Sequence, residues 1–381
     1  MTFSKLNSIA LAITLAVQCA VGQTYTGPQD PRIETALTLD VPCNGVSTTP
    51  SGRLFLVLAR VDGSKGPAVV EYNRTTKEMT AYPNEEWNSY QEGDDPTTKF
   101  VRINSQRVGP DGHLYLVDVG SPAFGEPVIL PQGPKLIRVD VTTNEVSRVY
   151  PMGNVTRYNS LLDDVRFNPA TGKAYLTDAG SPGLIVLDLA TGISRRVIEA
   201  GTEYGTEGAT PVSAEGSYLV LSANGDFEYV QADQLEVSPD GKNFYFSPAS
   251  GGLWKIETKW LDQAFYNTSL AGTELASYIE PHALTPSTGG TAIDANGVVY
   301  VGDTDRQEVI SVAANGTKSL LVQDPRLLWI DAMWIEGTKL WMPAAQLNRG
   351  TPFGNGKVNI TKPLHVFTID IGVGPSPIDH A

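Results

Sequence analysis

Six times along this 381-residue chain a glycine closes a tight turn ahead of an apolar run carrying Tyr, Phe or Trp: Gly52, Gly112, Gly172, Gly241, Gly297 and Gly337, spaced by 60, 60, 69, 56 and 40 residues. Copies such as "PDGHLYLVDVGSP…KLIRVDVTTNEVSRVY", "ATGKAYLTDAGSPGLIVLDLATGISRRVI" and "ANGVVYVGDTDRQEVISVAANGTKSLLV" share one plan. A strand meets a turn, a second strand follows, and a third ends in a polar turn. Within each copy apolar and polar residues alternate with the two-residue period of a strand, as in Lys135-Leu-Ile-Arg-Val-Asp140. A lone four-stranded sheet cannot bury its faces, so such copies pack face to face around an axis. The sequence therefore predicts an all-β chain, a six-bladed β-propeller forming a single domain over residues 23–381. Residues 24–50 or 364–372 are expected to complete the first or last blade and close the ring. Residues 254–265 are the best candidate for a short helix.

Ahead of the repeats, Lys5, an apolar run over 9–17 and the small residues Ala20 and Gly22 make the pattern of a secretory signal peptide, expected to end at Gly22. The run is too short to span a bilayer. Cleavage removes Cys19 and leaves Cys43 alone, so no internal disulfide is expected, and Cys43 reads as a small buried residue rather than a nucleophile. Five Asn-x-Ser/Thr acceptors, Asn73, Asn154, Asn267, Asn315 and Asn359, predict a glycoprotein of the secretory lumen or the cell exterior. The net charge of -14 becomes -15 without Lys5, with 27 basic residues against 42 acidic ones. That excess disfavours nucleic acid and anionic membranes as partners and reads as a solubility device; a small molecule is expected instead in the cup at one mouth of the propeller, and the oligomeric state is left open.

Two stretches read almost alike, "YLVDVGSP" ending at Pro122 and "YLTDAGSP" ending at Pro182. Their Asp118 and Asp178 fall six residues after a turn glycine, where the other copies carry Leu58, Ser247, Asp303 and Pro343. A residue replaced by Leu or Pro in sister copies reads as a turn cap rather than a catalyst. The polar residues expected on the axis lie a few positions before the turn glycines: Asn44, Asn104, Asp163, Asp164, Asp233 and Asp331. They either line a water-filled tunnel or share a low-dielectric cup, where shifted titration suits Asp163, Asp233 and Asp331 to acid–base work. Trp87 and Tyr90, Phe227 and Tyr229, and Trp329 sit in connections that feed inner strands, so they are candidates for stacking on a flat ligand, with core packing as the plain alternative. His282, in "IEPHALTPSTGG", reads as a loop residue before the fifth inner strand and is the one His so placed. His113 falls in a turn, His365 on a strand and His380 in the tail. No serine-nucleophile elbow, zinc helix, phosphate loop or dinucleotide fingerprint is present.

The stretches "KLIRVDVTTNEVSRVYP", "AYLTDAGSPGLIVLDLATG", "LEVSPDGKNFYFSPASGGLWKIET" and "DPRLLWIDAMWIEGTKLWM" resemble the yellow and major royal jelly protein family, over roughly residues 51–371. More distantly, the chain is similar to the gluconolactonase and senescence-marker propellers. The first resemblance implies a cup for small molecules. It extends to secreted fungal propellers that act as cofactor-free hetero-Diels–Alderases, joining a tropolone-derived quinone methide to a terpene alkene. For such a reaction Asn104, Trp87, Tyr90, Phe227, Tyr229 and Trp329 are the expected ligand contacts, and Asp163, Asp233, His282 and Asp331 the proton donors or acceptors. Insect relatives imply the alternative, a non-catalytic binder of biogenic amines. The gluconolactonase resemblance implies an axial divalent metal held by a Glu, two Asn and an Asp; here the matching positions are Cys43 or Asn44, Asp163, Asp233 and Gly289. That departure disfavours a Ca²⁺ or Mg²⁺ lactonase, and no cofactor is expected.

Overall fold

A computed structural model describes residues 23–199 and 205–379; the segment read as a signal peptide, with Cys19, and His380 lie outside the described residues. Six four-stranded antiparallel sheets form the blades. Counted from the axis outwards, the first blade is Cys43–Thr48, Leu54–Leu58, Val69–Tyr72 and Met79–Ala81, and the second Ile103–Val108, Leu114–Asp118, Lys135–Asp140 and Glu145–Pro151. The third is Leu162–Asn168, Lys173–Asp178, Gly183–Asp188 and Ser194–Ile198. The fourth is Ala232–Val237, Asn243–Pro248, Leu253–Glu257 and Glu280–Ala283. The fifth is Thr291–Ile293, Val299–Asp303, Glu308–Val312 and Lys318–Gln323. The sixth takes Trp334–Glu336, Lys339–Pro343 and Leu364–Asp370 from the end of the chain and Glu34–Leu39 from its start, so both segments expected to close the ring do so together.

All six repeat glycines occupy the left-handed region, from φ 59° at Gly337 to 87° at Gly52, which any side chain would strain. Between blades, the aromatic of one sheet seats against its neighbour: Tyr115 against Phe167 at 4.6 Å and Tyr175 against Phe244 at 5.4 Å between ring centres. The core is a succession of such blade interfaces, with Phe244 and Phe246 fully buried in one and Trp334 in another. The helix expected over 254–265 begins later, at Thr258–Tyr266, because Trp254 pairs with Phe246 and extends the third strand of blade four to Glu257. Its buried face, Leu261, Ala264 and Phe265, covers the rim of blades three and four. Among the described residues no helix is long and apolar enough to cross a membrane.

Asp118 is a bracket between elements. It accepts from the backbone N–H of Val101 (2.8 Å), Arg102 (3.0 Å) and Gly120 (2.9 Å), and from Lys135 Nζ at 2.6 Å. Asp178 does the same for Leu161, Gly180 and Ser181, with Ser160 and Arg196 as further donors. Each carboxylate ties the chain entering an inner strand to the turn after the second strand.

Candidate functional site

A one-residue irregularity recurs at the start of the inner strands. The register with the second strand shifts between Cys43 and Gly45, Ile103 and Ser105, Leu162 and Val165, and Ala232 and Gln234. A bulge leaves its extra residue outside the ladder and re-aims its side chain. The released residues are Asn44, Asn104, Asp163 with Asp164, and Asp233, all at one level of the ring. In blade six Asp331 holds the matching place, its N–H donating to Pro343 O at 3.0 Å.

These groups join hands around the mouth. Asn44 Nδ2 donates to Asn104 O (2.8 Å), and Asn104 Nδ2 donates to Asp163 Oδ1 (2.7 Å). Asp163 is hydrogen-bonded to Asp233, which also accepts from Gln234 Nε2. Asp331 accepts from Trp329 Nε1 (2.9 Å) and from the N–H of Ala332 (3.0 Å). Asp164 turns away, with one oxygen on Val165 N–H and the other on Arg166. Blade five supplies no side chain, because Gly289 and Gly290 lie against Trp329 and Asp331. A Cβ on Gly289 would sit 2.7 Å from Trp329 Nε1, and one on Gly290 would sit 2.2 Å from Asp331 O. The position read in sequence as a lost metal ligand is thus room for the indole.

Among the described residues no cation bonds Asp163, Asp233 or Asp331. Burial, then the charges of Asp233 and Asp164, holds the Asp163 carboxyl far above its ordinary range; burial pushes Asp233 to about 8 and Asp331 to about 7. Asp163 and Asp331 are only half-buried by exposure although they lie deep in the ring, so solvent reaches them. A hydrogen-bonded pair of like carboxyls holds a proton in common near neutral pH, which makes it a hydrogen-bond donor. Among the described residues no three His, Cys, Asp or Glu side chains converge as metal ligands would.

Above the acids lies an apolar roof. Val212, Ala214, Leu219, Ala249, Trp329, Ala345 and Phe353 are buried together, with Phe124, Leu221, Val230 and Leu347 at its edge. It is built from the connections within the second, fourth and sixth blades and those that follow the third and fifth, all at the end where inner strands begin. Glu215, clamped by Arg349 and Asn348, and Ser213, bonded to Asp305 at 2.6 Å, pin it down. Trp329 links roof and floor at φ 53°, a strained conformation for a bulky side chain of the sort that gathers at functional sites.

Other candidates fall elsewhere. Phe227 and Tyr229 are 54% and 45% exposed beside the roof, Phe227 meeting Tyr218 edge-on. Trp87 packs on Phe100 at the blade-one core and Tyr90 is half-buried on the same loop. His282 is not in a loop at the axis. The helical insertion lets Glu280–Ala283 return as the outermost strand of blade four, where His282 lies against Tyr245 with its basicity lowered by burial. The sequence reading missed Phe124 and Phe353, single aromatics in Gly/Pro-rich loops, their one local signal. It also missed Glu228, pushed by burial to about 7, and Arg102, whose half-buried guanidinium bonds Ser121. Two cavities of about 350 and 460 Å³ lie at the rim, one beside Arg74 and Trp341, the other beside Pro131 and Pro151. The asparagines of all five Asn-x-Ser/Thr triplets are exposed.

Cys43 is 3% exposed with Sγ 3.4 Å from Gly45 O, and burial pushes its thiol up to about 12. The expected result with an aromatic disulfide reagent is no release of the aromatic thiolate by Cys43 in native protein at pH 8, and one equivalent released by Cys43, now a mixed disulfide, once guanidinium unfolds the chain.

A family model described as major royal jelly protein matches residues 106–359. No curated protein sequence matches the chain. Among solved structures, a luciferin-regenerating enzyme is 14% identical, with 92% of this chain and 99% of that one aligned at a TM-score of 0.54. XC5397 from Xanthomonas campestris, described as a gluconolactonase, is 12% identical over 92% and 95% at 0.52. U3-55K is 10% identical over 91% and 100% at 0.51. Likeness at these identities establishes the propeller alone.

Proposed function

The chain belongs to the major royal jelly protein family, and from that premise we propose that it is a secreted glycoprotein that binds flat, mostly apolar small molecules at the upper mouth and there accelerates a cofactor-free hetero-Diels–Alder reaction. The observation that carries this reading is the pairing of an apolar roof with a floor of carboxyls, Asp163, Asp233 and Asp331, that burial pushes toward the protonated form and that no cation among the described residues bonds. In the cycloaddition an enone-type heterodiene, C=C–C=O, meets an alkene. One C–C and one C–O bond form, three π bonds become one, and no electron or proton leaves the pair. The protein's share is to hold both partners in a near-attack pose and to polarise the carbonyl. A protonated carboxyl of the Asp163–Asp233 pair, or Asp331, donates to that oxygen and stabilises the charge that gathers there. Where the methide must first form by loss of water, the same acid protonates the leaving hydroxyl and its carboxylate then takes the proton released by the substrate's ring hydroxyl.

The test is incubation with a humulene-type alkene and a tropolone methide precursor. The expected outcome is adduct formed faster, or with a different stereochemistry, than in buffer; no change in either rules the cyclase out. One observation favours a second reading: several acids without a bonded cation also suit an ammonium ligand beside aromatics. In that case an amine binds with release of protons, because the cation draws the shared proton off the pair. Calorimetry in two buffers of different ionisation enthalpy reads this directly. Lactone hydrolysis abolished by a chelator would support neither reading.

A further inference from the structure

The other end of the tunnel is shut by the chain itself. Beyond Leu364–Asp370 the backbone turns at Gly372 and runs under blade five, where Ala295 N–H donates to Gly374 O (2.9 Å) and Ser376 N–H to Ile293 O (3.3 Å). Ser376 and Asp379 are 0% and 3% exposed, and Ile378 packs on the core of blades three and four. Asp379 reaches the axis and meets Arg107 side-on, with Nε to Oδ1 at 3.1 Å and Nη2 to Oδ2 at 2.5 Å.

The two axial arginines depend on that carboxylate unequally. Arg166 has Glu236 on two nitrogens at 2.9 Å and Asp164 on a third, with Asp379 only at 3.8 Å. Arg107 is 2% exposed, and its remaining partners are Met333 O at 3.4 Å and Glu236 at 3.7 Å. It also lies over the Trp334 ring at 5.2 Å, which fixes the plane of its fork. A buried guanidinium with a rigid, outward-facing pair of N–H groups is a receptor for a planar carboxylate.

We propose that Arg107 is a carboxylate-binding site at the lower end of the tunnel and that the segment 372–379 is its tethered ligand, seated through Asp379. The site takes monocarboxylates or acidic peptides when the segment is absent, and while it is seated the tunnel opens at the upper mouth only.

Two variants test this. In the full chain Asp379→Asn removes the charge and one acceptor, and exchange of the amides of Ser376, Ile378 and residue 379 is expected to rise about a hundredfold, the loss that follows breaking a buried ion pair; unchanged exchange overturns the proposal. In a chain cut after Gly372, acetate is expected to raise the melting temperature well beyond chloride at equal ionic strength, and Arg107→Met in the same cut chain to abolish the difference. A synthetic peptide of residues 375–381 is expected to stabilise the cut chain, and its Asp379→Asn counterpart not to. Acetate and chloride acting alike, or acetate acting equally without Arg107, overturns the site. Should the cut chain fail to fold, the exchange measurement on the full chain decides alone.

Discussion

Asp233→Asn is expected to make the protein more stable at pH 9 and slower as a catalyst. A carboxyl whose folded value lies above the roughly 3.9 of an unfolded chain contributes stability that is complete at low pH. That contribution is lost as pH rises through the folded value, here about 8. Wild-type protein therefore gives up stability between about pH 4 and about pH 8, where the unfolded chain has released this proton and the folded pair with Asp163 still holds it. Asn keeps the shape, accepts from Gln234 and donates to Asp163, and never ionises. The two melts are expected to converge only as pH falls to about 4, where the unfolded carboxyl takes up its proton as well. At pH 9 the variant is expected to lead by about 1–3 kcal/mol, the solvent that reaches the mouth keeping the gain below that of a dry site. Its adduct rate at pH 6 should fall by about tenfold to a hundredfold, since an amide is a weaker donor than a carboxylic acid. An ordinary structural acid would show the reverse at pH 9, a loss of stability. A variant equally slow but no more stable would mean that Asp233 is ionised in the resting protein and that the donor lies elsewhere.

How the fold was legible, and the site only partly, follows from where each signal resides. Turn chemistry is local. Gly52 and its five counterparts announce themselves because positive φ selects glycine within the turn itself, and the six turns fix the period. The period in turn locates Asp163, Asp233 and Asp331, since the same short strand separates turn from mouth in every blade. What failed is what depends on convergence. Phe124, Leu219, Trp329 and Phe353 form one roof from four stretches far apart in the chain, and no periodicity links them. His282 was misplaced because the helices over 258–276 delay the fourth strand of blade four, so the loop that seemed to lead inward is still the outer edge. Asp379 reaches Arg107 across 272 residues, beyond any local pattern. The bulges that free the axial side chains also leave no mark apart from the acids and amides they expose.

The near-duplicate Asp-Val-Gly-Ser-Pro and Asp-Ala-Gly-Ser-Pro stretches yield the prediction with the largest effect on stability. Asp118→Ala is expected to cost roughly 3–5 kcal/mol, because it strands a buried cation and three backbone donors. Lys135 is 1% exposed and would retain only Gly133 O at 3.1 Å, while the N–H groups of Val101, Arg102 and Gly120 lose their acceptor. Lys135→Met should cost less, about 1–2 kcal/mol, since the carboxylate left behind still accepts three amide hydrogen bonds that stabilise its charge. This order distinguishes a bracket from an ion pair valued for its charge alone, in which the two truncations would cost about the same. Asp178→Ala should follow Asp118→Ala, its losses being the amides of Leu161, Gly180 and Ser181 and the Arg196 partner. For either Asp variant the adduct rate per folded molecule, measured well below the melting transition, is expected to stay within about threefold of wild type, because neither acid belongs to the ring of Asp163, Asp233 and Asp331. A rate that collapses while the melting temperature holds would move the chemistry from the mouth to these turns. The bracket makes the opposite outcome the expected one: it anchors the entry to each inner strand, and the bulge that aims Asn104 or Asp163 begins two residues further on.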